Sequence, residues 1–361
     1  AIAIWAAGFS GGAALGPVVG GFLLEHYWWG SVFLMAVPVL VPLLVLGPIL
    51  VPESRDPAPG PVDPVSIALS LGAMVPLVYG IKAIAGSGMS ISNLTPLVLG
   101  LLVGAGFVWR QLRRRVPMLD VRLFTNPVFS GSVAANLLSV FSLVGFIFFI
   151  SQHLQLVSGR SPMQAGLVLV PGLVVTVIAG LTVVHVVRRV RPAHVVAGGL
   201  LLNAAGYALV LISGAGGSDL GLLVAFMILG AGVGAAETIS NDLILASVPP
   251  TKAGAASAVS ETAYELGAVL GTAVLGSILT AVYRTNVEVP GGLSAGDSRA
   301  AAETLGGATE VAGDLPARQA QALLESAQHA FDSGVIITSG IAVVLMMAAA
   351  VIALRALRTA R

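Results

Sequence analysis

Cysteine is absent from the 361 residues, so no disulfide, thiolate metal site or thiol nucleophile is available. Charge is scarce. Asp, Glu, Lys and Arg make up 10% of the chain, where soluble domains carry about 25%. The net charge of +1 leaves no electrostatic footprint for nucleic acid. Only two of the cations are lysines, against sixteen arginines, a composition typical of a GC-rich bacterial genome. Catalytic signatures are missing too: there is no H-E-x-x-H, G-x-S-x-G or Walker string. His153, His185 and His194 fall near the ends of apolar runs without metal-ligand spacing. These absences argue against an enzyme, a metal, a cofactor or ATP. Any work done must draw on an ion gradient or on the substrate itself. The chain opens on alanine inside an apolar run, with no signal-peptide n-region, so a missing N-terminal stretch is expected.

What fills the chain is hydrophobic: 56% of residues are apolar and mean hydropathy is +0.95. Runs of about 20 apolar residues, each enough to span a bilayer as a helix, recur along its length. The expected fold class is an all-α integral membrane protein with ten spans, at 1–24, 30–51, 64–86, 92–110, 127–152, 163–187, 193–213, 219–248, 253–283 and 332–357. Arginine and lysine set the orientation. Arg55, Arg110, Arg113, Arg114, Arg115, Arg122, Arg188, Arg189, Arg191, Lys252, Arg355, Arg358 and Arg361 fall on one side, against Arg160, Arg284, Arg299 and Arg318 on the other. The first group marks the cytoplasm, which also holds both chain ends. Trp28, Trp29 and Trp109 sit at span ends, as interfacial aromatics do.

Gly8, Gly12, Gly16 and Gly20 recur at every fourth residue of the first span, with Pro17 and Gly21 beside them. Positions i and i+4 share a helix face, and a glycine face lets another helix approach closely. Pro17 removes one backbone hydrogen bond and bends the helix. The pattern fits ordinary small-residue packing or a hinge between moving parts. A fainter version, G-A-V-L-G-T-A-V-L-G-S, recurs at 267–277, as weak repeats between transporter halves do.

Four acids lie within apolar spans. Glu261 and Glu265 are one turn apart, and Glu265 lies ~18 Å from the cytoplasmic start of its span at 1.5 Å per residue. Glu237 on the preceding span has a similar depth, with Asp242 nearer the cytoplasm. A charge at the bilayer centre costs ~2.5–3.5 kcal/mol on insertion scales. Burial makes a carboxylate hold its proton more tightly, and a neighbouring carboxylate reinforces this. The four acids, with Tyr264 beside them, therefore form a candidate cation or proton site; the alternative is structural hydrogen bonding, with Asp242 capping the inner loop. Phe141, Phe148 and Phe149 form a stripe that either lines a cavity and meets a cation through ring faces, or faces lipid or packs in the core. Asn136, Asn203 and Asn241 show nothing that separates them from structural polar residues. Residues 284–331 form a long, acidic outer loop. Asp297-Ser298 is a candidate helix cap, a helix is expected to start near Pro316, and Leu323, Leu324, Ala327 and Phe331 make an apolar stripe. The segment reads either as a surface loop or as a helical lid over the outer mouth.

Several strings carry a family resemblance. G-x-x-x-G-P-x-x-G-G at Gly12, Gly16, Pro17, Gly20 and Gly21 resembles the antiporter motif of drug-exporting major facilitator transporters. H-Y-W-W-G-S-V-F-L-M-A-V-P-V (26–39), P-M-L-D-V-R-L-F (117–124), S-P-M-Q-A-G-L-V-L-V-P (161–171) and V-P-P-T-K-A-G-A-A-S-A-V-S-E-T-A-Y-E-L-G (248–267) resemble the fourteen-span drug:proton antiporters, in particular their QacA/SmvA/LfrA-like group, over essentially the whole chain. The resemblance implies a major facilitator fold holding the last ten of fourteen helices. Residues 1–51 would end the N-terminal bundle, 52–112 would be two linker helices, and 113–361 the C-terminal six-helix bundle. It also implies proton-coupled export of lipophilic cations such as quaternary ammonium compounds and dyes from a bacterial plasma membrane. Partners would be drug, protons and lipid, with no obligate protein. Glu261 and Glu265 fall on two acidic positions of the group, while Ser260 stands where QacA-like members carry a third acid. The alternatives are a truncated, non-transporting remnant and a carrier for a neutral metabolite.

Overall fold

The computed structural model describes residues 2–50, 63–114, 116–214, 219–249 and 252–360, with backbone alone at 2–11, 13, 14, 85 and 86. No strand occurs among them. Nine helical stretches among the described residues are long and apolar enough to cross a membrane. Helix α1 (Ile2–His26), of 25 residues and continuous through Pro17, adds another of spanning length. The next span is two pieces, α2 (Ser31–Leu34) and α3 (Val37–Leu50).

Helices α4 (Pro64–Ser87) and α5 (Ile91–Arg113) make a hairpin. Asp63 caps α4, with Pro64 in the first turn, where its missing N–H costs nothing. Ser90 caps α5. At the cytoplasmic end Asp63 takes Arg110 and Arg114 at 2.9 Å each. Ser66, fully buried, receives Gln111 at 2.7 Å. The Arg113 guanidinium lies 4.3 Å over the Trp109 ring. Gln111 also accepts the Leu119 N–H, which ties the hairpin to the connector that follows. In that connector Asp120 pairs with Lys252 at 2.6 Å, and this contact holds its carboxyl below the usual carboxylate range.

The densest packing lies in α6 (Pro127–Gln152), α7 (Pro162–Val186), α8 (Pro192–Ser213), α9 (Asp219–Ala246) and α14 (Ala317–Ala356). Glycines set the helix spacing. A Cβ on Gly199 would lie 2.6 Å from the Gly232 carbonyl, joining α8 to α9, and one on Gly230 would lie 2.6 Å from the Gly172 carbonyl, joining α9 to α7. Small residues at such crossings let helix backbones touch. Phe146 stacks on Phe226 at 5.5 Å and meets Tyr207 edge-on. The Tyr207 hydroxyl donates to the Ser142 carbonyl at 2.7 Å.

Two π-helical turns interrupt the spans. His153–Val157 ends α6, and Gly271–Leu275 separates α10 (Ala253–Leu270) from α11 (Gly276–Asn286). The outer segment is helical rather than a surface loop. It contains α12 (Ala295–Glu303) and α13 (Leu305–Gly313), and the last helix starts at Ala317, directly after Pro316. The cap of α12 is Ser294 and not Asp297-Ser298: the Ser294 hydroxyl accepts the Asp297 N–H. Ala301, Leu305, Ala308, Leu323, Ala327 and Phe331 are buried and continuous with the membrane core, and the Tyr283 hydroxyl donates to the Ala301 carbonyl at 2.8 Å.

Candidate functional site

The rotation of α10 decides where its acids point. Gly267 and Gly271, one turn apart, seat this helix against α6: a Cβ on either would strike the Leu137 or Phe141 carbonyl. Glu265 precedes Gly267 by two residues, about 200° around the helix. Glu261 and Glu265 therefore turn away from α6, and both are exposed. Tyr264 is half-buried beside them. Phe141 is 5% exposed and sits in the core.

Glu237 approaches from α9, whose own rotation is fixed by Gly230 and Gly234 against α7 and Gly232 against α8. It is half-buried and within electrostatic reach of Glu261, and all three glutamates act on Tyr264. The structure thus brings Glu237, Glu261, Glu265 and Tyr264 together on two neighbouring helices. Asp242 stands apart from that group, exposed toward the cytoplasmic end of α9. No cluster of His, Asp and Glu with the makings of a metal site occurs among the described residues.

A polar triad beneath the acids has no signal in the sequence. Asn136 of α6 donates to the Ser260 hydroxyl at 3.0 Å, and Ser260 donates to Asn241 of α9 at 2.9 Å. Ser260 and Asn136 are buried. This chain pins α10 between α6 and α9 immediately before Glu261. Nothing near Asn136 or Asn241 distinguishes them in the sequence, because the bond to Asn136 joins positions 124 residues apart.

The glycine ladder divides. Helices α1 and α7 run antiparallel: a Cβ on Gly21 would lie 2.6 Å from the Pro162 carbonyl, and one on Gly166 would strike the Pro17 carbonyl. A Cβ on Gly12, Gly16 or Gly20 meets nothing within 4 Å, and the surroundings of Gly8 lie outside the described residues. At the outer end Ser161 donates to Glu25 at 3.0 Å, and Ser161 with Gln164 forms the capping box of α7.

A helical membrane bundle with glycine-set crossings, π-helical turns and membrane acids on adjoining helices has the architecture of a membrane carrier. The Major Facilitator Superfamily model matches residues 1–272, and the chain belongs to that superfamily. It is similar to the multidrug efflux pump LfrA of Mycolicibacterium smegmatis, 55% identical over 352 residues that cover 98% of this chain and 70% of the relative. The methyl viologen resistance protein SmvA of Salmonella typhimurium is 36% identical over 336 residues (92% and 67%). The tetracenomycin C resistance and export protein of Streptomyces glaucescens is 32% identical over 369 residues (98% and 68%). Together they place the chain among the drug-efflux transporters of the superfamily, as a multi-pass bacterial plasma membrane protein.

Proposed function

We propose that the chain exports lipophilic cations, such as quaternary ammonium compounds, dyes and antiseptics, in exchange for protons. The observation that carries the reading is Glu237 on α9 within electrostatic reach of Glu261 on α10, with Glu265 one turn on. No basic residue is paired with any of the three among the described residues. Uncompensated acids on membrane helices attract either a cation or a proton. In this reading Glu265, helped by Glu261 and Glu237, gives up its proton to the cytoplasm and takes the drug cation. After the bundles rock to face outward, a proton from outside displaces the drug. Tyr264 offers its ring face to the bound cation. More than one glutamate at the site suits a dication such as methyl viologen, the compound for which one relative is named. The α1–α7 seam closes the path between bundles and limits proton leak.

The test is dye-coupled proton flux in everted vesicles with an imposed pH gradient. Wild type should accumulate ethidium as the gradient dissipates, and Glu265→Gln should lose at least about tenfold of that rate, as removal of an essential proton carrier does. Glu261→Gln and Glu237→Gln should show smaller losses. Ethidium transport unchanged in Glu265→Gln overturns the assignment. Absence of any dye-linked flux in wild type points to a neutral-solute carrier or a bundle without transport.

A further inference from the structure

Beginning one turn beyond Glu265, a groove of about 770 Å³ lies between α4 and the α6, α10 and α11 helices, within the ~300–1,000 Å³ range of small-molecule sites. Its walls come from α4 (Val78, Lys82), α6 (Val144, Phe148), and α10, the π turn and α11, which contribute Val269, Thr272, Gly276, Thr280 and Arg284. Every wall belongs to a helical stretch long and apolar enough to cross a membrane. The π turn at Gly271–Leu275 shifts the α10–α11 helix by one residue beside it, the kind of local rearrangement found at functional sites. Gly276 leaves room there for the Phe148 ring, whose edge would lie 2.8 Å from a Cβ at that position.

The chemistry of the lining is one-sided. It holds two cations, Lys82 and Arg284, and no acid. Neither cation has a carboxylate or hydrogen-bond partner among the described residues. Three of the four lining hydroxyls, those of Thr272, Thr280 and Ser87, donate to carbonyls of their own helices. Lys82 lies five residues before the outer end of α4, about 7 Å at 1.5 Å per residue, and Arg284 lies at the outer end of α11. Both therefore reach the outer headgroup layer, with the apolar floor of Val78, Val144, Phe148 and Val269 beneath them. Cations at the membrane interface extend their charged ends to that layer, and basic pockets between membrane helices recognise anionic headgroups.

We propose that this groove is a binding site for an anionic phospholipid of the outer leaflet. Its phosphate sits between Lys82 and Arg284, and an acyl chain lies along Val269 and Phe148, filling the gap between hairpin and bundle. The lining of this lipid site holds none of the acids, and the proposal does not rest on the transport reading.

Native mass spectrometry of the purified chain tests it without any transport assay. The protein is titrated with phosphatidylglycerol and, separately, with phosphatidylcholine of the same acyl chains. Wild type should retain phosphatidylglycerol at least about tenfold better. Lys82→Gln with Arg284→Gln should abolish that preference, and each single change should weaken it about fivefold, the scale of one basic residue at an anionic surface. Arg299→Gln, a cation of the outer segment away from the groove, should leave it intact. Ser277→Trp, which fills the groove but keeps both cations, should also remove the bound lipid. Equal retention of the two lipids by wild type overturns the proposal. So does undiminished preference in the double variant or in Ser277→Trp. Displacement by inorganic phosphate at the lipid's own concentration means a free-anion site and likewise overturns it.

Discussion

Ser260 shows how one small side chain can fix a larger arrangement. Its hydroxyl accepts from Asn136 and donates to Asn241, so three helices share two hydrogen bonds at a buried point. Replacing it with alanine leaves the Asn136 amide without that acceptor inside the bundle. Losing one partner of a buried polar pair costs about 1–3 kcal/mol. Ser260→Ala is therefore expected to lower the thermal unfolding midpoint of the purified protein by several degrees. Thr262→Ala, on the exposed side of the same helix and bonded only to the Ala258 carbonyl, is expected to change it little. Equal midpoints for the two variants would show that the triad does not hold α10 in place. The four acids were legible as acids within spans, because a charge in an apolar run stands out in any hydropathy profile. Their grouping was only partly legible. Depth along each helix followed from counting residues, but facing did not, since it depends on Gly267 and Gly271 meeting α6.

Among the elements, span limits followed closely from sequence because bilayer thickness fixes helix length. The α6 and α8 boundaries coincide with apolar runs opened by Pro127 and Pro192. The π turns escaped, since an extra residue within a helix leaves hydropathy unchanged. The 40-residue α14 also exceeded its apolar part, because its first four turns rest on the outer helices rather than on lipid. The α4–α5 hairpin shows how charge closes an element. Asp63 is 7% exposed, and the Arg110 guanidinium, then Ser66, hold its carboxyl well below the usual carboxylate range. A carboxylate whose pKa is depressed on folding adds stability at any pH above its unfolded value, and that contribution is lost as pH falls below it. Asp63→Asn is thus expected to unfold the hairpin more readily at pH 7, read as faster hydrogen exchange across 64–70 and 106–113. The gap between variant and wild type should narrow steadily as pH drops below about 4, the ordinary aspartate range. A gap that stays constant with pH would remove the ion pairs as its cause.

At the scale of the whole molecule the question is how the motif helix is joined to the helices that carry the acids. Helix α1 rests on α7 at Gly21 and Gly166. Helix α7 rests on α9 at Gly172 and Gly230, and α9 carries Glu237. In the sequence every glycine of the ladder looks alike, since periodicity reports a face but not its occupant. In the fold they differ. Gly21 has the Pro162 carbonyl 2.6 Å from where its Cβ would be, closer than real Cβ contacts come, while Gly12, Gly16 and Gly20 have open space. A side chain at Gly21 or Gly166 meets backbone that cannot rotate away, so the two helices must separate. The chain contains no cysteine, which makes the seam measurable by introducing a single pair. Glu25→Cys with Ser161→Cys replaces two side chains in contact at 3.0 Å across it, and a short bifunctional thiol reagent should join them efficiently. Adding Gly21→Val or Gly166→Val should cut that yield about tenfold. Adding Gly12→Ala, Gly16→Ala or Gly20→Ala should leave it unchanged. If the valine variants crosslink as well as the parent pair, the seam does not depend on the close approach at these two glycines. If the alanine variants also lose the crosslink, the open face of the ladder is engaged when the pair is joined, and α1 moves against a second partner.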